Sequence, residues 1–443
     1  MAKIKYLIIG NSAGGIGTAE AIRELDKKGT MAIVSDEPYP PYSRPLISEH
    51  LFEGRSLERM LYRPADFYEQ NNIQTLFSEK VSKIDFNGHS LKLKSGKKLE
   101  WQKLLLATGG SPIVPKMEGG DAKGVFTFTK IDDAKAIDKF LNKRRGTVKA
   151  LVIGGGLIGV SATEALVRRG VKVTIVEMKD WILNTILDEE GAELEAKALF
   201  DVDVEIITGH TVAKINKGKS GVVDGAVLDD GQKIATDMVV VAIGVSPRLE
   251  LADGLKTNRG IIVDRRMQTS MPDVYACGDV AEAYDFVYDE NRVIPVWPNA
   301  YIGGRVAGQN MAGSEAKYQG GTAMNSLKYF GVNVVSAGMV GPPAKDYDVV
   351  IKRGDGIYKK VILKNGLVMG LIFAGDIEKS GIIYNLMKDK VKVDGFKEEL
   401  VSDDFGLATI PEEIWRARLE VPPSEEAYIV PPVEPPEEVV IGE

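Results

Sequence analysis

The sequence predicts an α/β protein in which two strand, glycine turn, helix, strand units are followed by a smaller α+β domain. Three observations predict it. A glycine-rich turn, Gly10-Asn11-Ser12-Ala13-Gly14-Gly15, separates an apolar run from a helical pattern; a second turn, Gly154-Gly155-Gly156-Leu157-Ile158-Gly159, repeats that arrangement; and strand signals dominate from about Gly320 to Phe405.

Taken in order, Lys5 to Gly10 reads as a short buried strand, Ile16 to Lys27 as a helix and Met31 to Ser35 as a second strand. Lys149 to Gly155, a helix to Arg169 and the strand Val171 to Glu177 form the second unit. Between them, Val81 to Trp101 alternates apolar and polar residues, with turns at Asn87-Gly88 and Ser95-Gly96, which predicts a three-stranded antiparallel meander. Val212 to Val241, with turns near Gly218 and Asp230-Gly231, predicts another. The C-terminal region carries a helix near Ser380 to Asp389, and beyond Ile410 the chain becomes Pro- and Glu-rich, an extended tail that buries no core of its own.

Bulk properties narrow the function. A length of 443 residues implies about three domains. A net charge of −7 disfavours nucleic acid as a partner, since phosphate backbones call for clustered Lys and Arg. Apolar runs such as Tyr6–Ile9 and Met238–Ile243 fall far short of the roughly 18 to 20 residues of a membrane span, so no span is expected, and the N-terminus lacks a signal-peptide pattern; a cytoplasmic protein is expected. The one cysteine, Cys277, excludes a disulfide within the chain, and the three histidines lack metal-site spacing, so no metal is expected.

The turns carry the chemistry. In Gly154-x-Gly156-x-x-Gly159 the first glycine permits the tight turn, the second lets a pyrophosphate approach the backbone, and the third lets helix pack on strand; Leu157 and Ile158 open the helix whose N–H groups face the phosphate. Glu177, ending the next strand, has the place of the carboxylate that accepts ribose hydroxyls and would repel a 2′-phosphate, which favours NADH over NADPH; Lys179 is the residue that argues the other way. In the first turn Ser12 replaces the middle glycine, beside Gly10, Ala13 and Gly14. Asp36 or Glu37 is its acidic group, Asp36 being nearer the strand end.

With Tyr42-Ser43-Arg44-Pro45, Ala107-Thr108-Gly109-Gly110, Ala242-Ile243-Gly244-Val245-Ser246-Pro247 and Tyr275-Ala276-Cys277-Gly278-Asp279, these turns resemble the FAD-dependent pyridine nucleotide-disulfide oxidoreductase superfamily. Within it the chain is similar to the branch of rubredoxin and ferredoxin reductases and the flavin part of nitrite reductases. The resemblance implies two Rossmann-like, three-layer dinucleotide-binding domains with antiparallel meanders: an FAD-binding domain in two parts, residues 1–115 and 249–317, around an NAD(H)-binding domain at 116–248. An interface or dimerisation domain at 318–405 and a tail at 406–443 complete it. It further implies that Val81, Ala107, Thr108, Gly109, Gly244, Gly278, Asp279, Trp297 and Ala300 contact cofactor, with Asp279 on the ribityl or phosphate region.

The cysteine pairs or single cysteine that relatives place beside the flavin are missing; that region here reads Tyr42 to Ser48, without sulfur, and Cys277 reads as a small buried residue. Pro45 suits a first helical turn whose positive end would face the reduced flavin, and Arg44 would add a fixed charge. Many relatives carry a glutamate, paired with a lysine, where this chain has Ser161; Glu164 is the nearest acid on a similar helical face, and Glu49 and His50 stand where the lysine would be. Lys328-Tyr329-Phe330 either approaches the flavin face or is a core stripe.

The resulting expectation is hydride transfer from NADH to FAD and onward electron transfer to a rubredoxin, a ferredoxin or an iron–sulfur subunit, by a homodimer or a subunit of a complex. Two alternatives stand beside it: an NADH-oxidising subunit of a larger assembly such as a 2-oxoacid (phenylglyoxylate-type) oxidoreductase, with the tail as docking arm, and a non-catalytic flavoprotein that responds to NADH.

Overall fold

Near-continuous apolar runs make strands that are buried on both faces, and such strands pair in parallel. The computed structural model describes residues 3–420 and shows this twice. In the first sheet Ile73–Leu76, Met31–Val34, Ile4–Ile9 and Lys98–Leu106 lie side by side in that order, all parallel, with Ser90–Leu93 and Val81–Asp85 added antiparallel beyond them. Val274–Ala276 also pairs with Lys98–Leu106, so the chain returns to this sheet after building the second one. The second sheet runs Glu205–Thr208, Lys172–Glu177, Lys149–Ile153, Met238–Val241 and Val125–Phe126, parallel throughout.

Two sequence expectations change here. The third strand of the first meander does not stop at Trp101; it continues to Leu106 as a strand of the parallel sheet. Met238–Val241 leaves the second meander, which is Val212–Lys217, Val223–Leu228 and Lys233–Ile234, and lies beside Lys149–Ile153. Its four residues are all buried, and a central parallel strand is where such a run is covered on both faces.

Register decides where the turns go. Ile9, Leu106 and Ala276 are neighbours in the first sheet, so Gly10, Ala107 and Cys277 follow together at its carboxyl edge. Ile153, Val176 and Val241 are neighbours in the second, so Gly154, Glu177 and Ala242 follow at that edge. Gly110–Pro112 and Val245–Pro247, the segments leaving the two edges, pair antiparallel and tie one edge to the other. The helix Ala13–Leu25 lies so close to Trp297–Met311 that a Cβ on Gly304 would sit 2.1 Å from the Gly14 carbonyl oxygen. Thr18 clamps the same contact by donating to the Gly304 carbonyl at 2.7 Å.

The C-terminal region is a five-stranded antiparallel sheet ordered Met324–Tyr329, Val332–Gly338, Leu367–Ala374, Ile357–Lys364 and Asp348–Gly354. The helix Ser380–Lys388 contributes Ile383, Leu386 and Met387 to the core against it. A separate apolar cluster, including Leu183, Leu187, Val334 and Ile372, joins this sheet to the second unit, and Asp188 accepts hydrogen bonds from Tyr358 at 2.7 Å and Lys360 at 2.6 Å. The tail departs from expectation at its start: Glu412–Glu420 is helical, since no proline interrupts the chain between Pro411 and Pro422. The Pro-rich stretch itself lies outside the described residues. Among the described residues no helix is long and apolar enough to cross a membrane.

Candidate functional site

The two carboxyl edges open onto one cleft of about 1150 Å³. Gly10, Ser12, Ala13 and Gly14 line it from the first turn, with Asp36, Glu37, Arg44 and Pro45 on one side. Ala107, Thr108 and Gly109, then Gly278, Asp279, Trp297 and Ala300, continue the same wall. The second unit contributes Gly154, Gly156, Leu157, Ile158, Glu177 and Gly244. Segments far apart in sequence therefore share one space, as the register of the two sheets requires.

Asp36 and Glu37 have different surroundings. Glu37, 7% exposed, has both oxygens engaged: Tyr42 donates to one at 2.7 Å and Arg44 to the other at 2.6 Å. Arg44 also donates to the Thr129 carbonyl at 3.2 Å; burial opposes its charge, but Tyr42 and Glu37 hold it and raise its pKa. Arg44 is thus pinned beside Glu37. On Asp36 only Oδ2 is engaged, by Arg248 at 3.2 Å and Lys130 at 3.5 Å. Burial works against the ionised Asp36, yet these two cations prevail and its pKa lies below the ordinary value. Pro45 sits in a short 3₁₀ turn, Arg44–Leu46, and the helix proper, Ile47–Glu53, begins two residues later than the proline suggested.

In the second turn the three glycines differ as their positions require. Gly154 has φ +102°; a Cβ on Gly159 would sit 1.9 Å from the Gly154 carbonyl oxygen; a Cβ on Gly156 would meet nothing within 4 Å, leaving its backbone open to the cleft. The Glu177 carboxylate is fixed by backbone donors, Gly155 N–H at 2.7 Å and Lys179 N–H at 2.9 Å, and each oxygen keeps a lone pair for a further donor. In the first turn the packing role of Gly159 falls to Gly15, whose Cβ would sit 2.0 Å from the Gly10 carbonyl oxygen.

Three predicted site residues do not line the cleft. Gly159 is the packing glycine just described. Val81 is buried in the apolar core of the first sheet, in register with Leu93. Glu164, read from sequence as the catalytic-site substitute for the relatives' glutamate, turns away: it accepts from Arg168 at 2.8 Å and lies beside Glu195 on the helix Glu189–Phe200. Ser161, one turn earlier, faces the cleft with Leu157 and Ile158, and Glu164 does not, because three residues advance only about 300° around an α-helix. Glu49 pairs with Arg55 at 2.6 Å. Glu195 is fully buried, neither of its carboxyl oxygens has a hydrogen-bond partner, and burial next to Glu164 pushes its pKa up to about 8.

Cys277 is fully buried, and burial pushes its thiol up to about 12. A Cβ on Gly14 would sit 2.6 Å from its sulfur, so the side chain is wedged between the first turn and the following helix. Asp279 faces the cleft; burial raises its pKa, partly offset by Arg44. Sequence reasoning missed Lys130 and Arg248, and of the two readings left open for Tyr329 the cleft-facing one is observed. Arg248 had a signal, directly following the Gly244-to-Pro247 segment; Lys130 had none. The fold also brings His210 within 3.0 Å of Asp229 and near Asp230, an exposed cluster that chain spacing does not reveal.

Residues 4–304 match the family model described as pyridine nucleotide-disulphide oxidoreductase. The chain belongs to that family. Residues 324–391 match a second model, the rubredoxin NAD+ reductase C-terminal domain. Among its relatives in the family is the nitrite reductase [NAD(P)H] of Bacillus subtilis, 30% identical over 398 residues; the match spans 89% of this chain but 48% of that enzyme. The subunit epsilon of an NADH-dependent phenylglyoxylate dehydrogenase of Aromatoleum evansii is 30% identical over 426 residues, 93% of this chain and 98% of that one. The crystal structure of NADH:rubredoxin oxidoreductase from Clostridium acetobutylicum superposes with a TM-score of 0.73 at 28% identity, covering 89% of this chain and 98% of the other. The chain is an oxidoreductase of the kind that uses FAD and NADH. The cleft fits both: the open backbone at Gly156, the free Oδ1 of Asp36 and the preorganised Glu177 are the groups two dinucleotides need.

Proposed function

We propose that this chain takes a hydride from NADH onto FAD and delivers the electrons to a redox protein, of the rubredoxin, ferredoxin or iron–sulfur subunit kind. The observation that carries it is the single cleft shared by two phosphate-cradling turns, whose one thiol, Cys277, is buried and protonated. When bound, FAD supplies the conversion between two-electron and one-electron chemistry. The protein binds and orients. The first turn and Asp279 hold the flavin dinucleotide, with Asp36 Oδ1 accepting a ribose hydroxyl and Arg248 and Lys130 neutralising its other oxygen. Gly156 and the start of the helix Leu157–Arg168 take the second pyrophosphate, and Glu177 the adenosine ribose. A thiol relay has no place here, because a thiol titrating near 12 supplies almost no thiolate.

The test is anaerobic mixing of the holoprotein with NADH and, separately, NADPH, following loss of the flavin absorbance, and then addition of rubredoxin or ferredoxin. Fast bleaching by NADH and reoxidation by a protein carrier are expected; a protein that never takes up flavin overturns the reading. Replacing Glu177 by alanine is expected to lower kcat/KM for NADH about 10-fold or more while NADPH loses little, since the variant no longer repels a 2′-phosphate. Equal loss with both nucleotides would remove Glu177 from the ribose site.

A second reading, an electron-entry subunit of a larger oxidoreductase, is favoured by the end-to-end match to the phenylglyoxylate dehydrogenase subunit. Steady turnover with free rubredoxin or ferredoxin argues for the first reading and against a non-catalytic NADH-responsive protein. Copurification with partner subunits, lost on truncation after Ile410, argues for the second. In either case the sheet beginning at Met324 is the surface we assign to assembly, as a homodimer or within a complex.

A further inference from the structure

The third domain places one aromatic side chain against the nucleotide helix. Tyr329 ends the edge strand Met324–Tyr329 and lines the cleft beside Leu157 and Ser161. Its hydroxyl points at the Leu157 carbonyl at 3.4 Å, the outer limit of a hydrogen bond, and the nearby Ser161 hydroxyl lowers the phenol's pKa somewhat. That contact leaves the proton poorly satisfied. Burial pushes the phenol up to about 12, with Glu164 and Glu195 behind it adding to the effect, so it stays an O–H donor throughout the working pH range. A half-buried donor facing the cleft with so long a contact leaves room for a better acceptor.

With the adenosine ribose on Glu177 and the pyrophosphate over Gly156, the nicotinamide half is what remains to meet the wall formed by Leu157, Ser161 and Tyr329. We propose that the Tyr329 hydroxyl donates to the carboxamide oxygen of the nicotinamide and so sets the orientation of the ring. This rests on the function proposed above.

The test uses oxidised holoprotein and two probes, NAD+ and thionicotinamide adenine dinucleotide, whose sulfur is a poor acceptor in place of that oxygen. Calorimetry is expected to show wild-type protein binding NAD+ about 10-fold more tightly than the thio analogue. Tyr329→Phe should weaken NAD+ about 10-fold and leave the analogue unchanged, with flavin content and visible spectrum as in wild type. A variant that weakens both probes equally, or neither, overturns the assignment while the proposed function stands. Wild-type protein that binds neither probe overturns the proposed function and this assignment with it.

Discussion

Replacing Gly154 by valine is expected to leave a yellow protein whose flavin dithionite still bleaches but NADH does not. Gly154 sits at φ +102°, where a β-branched residue is strained, and its Cβ would lie 2.6 Å from the Ala242 carbonyl oxygen. The strand Met238–Val241 behind that carbonyl is buried and cannot yield, so the turn itself must move. That shifts Gly156 and the start of the helix from the pyrophosphate, and a displacement of about 1 Å in a positioning element costs on the order of 100-fold in rate. FAD retention follows because the first turn belongs to the other sheet. Stopped-flow reduction at saturating NADH reads the rate; wild-type speed in the variant would show that this turn does not hold the reductant.

Replacing Glu195 by methionine is expected to raise stability, and by more at high pH. In the fold this carboxyl titrates near 8 against an ordinary value of 4.5. Because the folded state holds a proton that the unfolded chain releases between those values, wild-type stability falls as pH rises through the window and the loss is complete above pH 8. The shift corresponds to about 5 kcal/mol as an order of magnitude. Methionine has a similar shape, needs no partner and removes the repulsion from Glu164, in line with the general finding that buried unpaired polar groups are better replaced by apolar ones. Thermal unfolding at pH 6 and pH 9 should show a Tm advantage that widens with pH. A constant difference would mean that Glu195 does not titrate in this range.

Why the carboxyl lies there shows where sequence reading stops. Glu164 and Glu195 are 31 positions apart on different helices, and nothing in their local patterns says that the helices face each other. The pattern that did speak was local and periodic. The turns at Gly10 and Gly154 and the acids at Asp36 and Glu177 each follow from what a strand-to-helix crossover must do around a phosphate; Ala107 and Gly109 came from the family resemblance, and all of them line the cleft. Glu164 was misread for a periodic reason too. It shares a helix with Ser161, but three residues of α-helix bring a side chain only roughly back to its starting direction, and here the remaining angle carries it to Arg168 and Glu195 instead of the cleft.

Taken by itself, the chain determined that there would be two crossovers of the same kind, that each would end in a carboxylate, and that one cysteine could not form a disulfide within it. Those are properties of neighbours in sequence, where backbone geometry and side-chain size leave few choices. Which carboxylate keeps a free oxygen, that Lys130 and Arg248 converge on Asp36, and that Tyr329 arrives from the third domain were decided only by the packing of three sheets. Such pairings depend on distances across tens to hundreds of intervening residues, which hydrophobic periodicity does not encode.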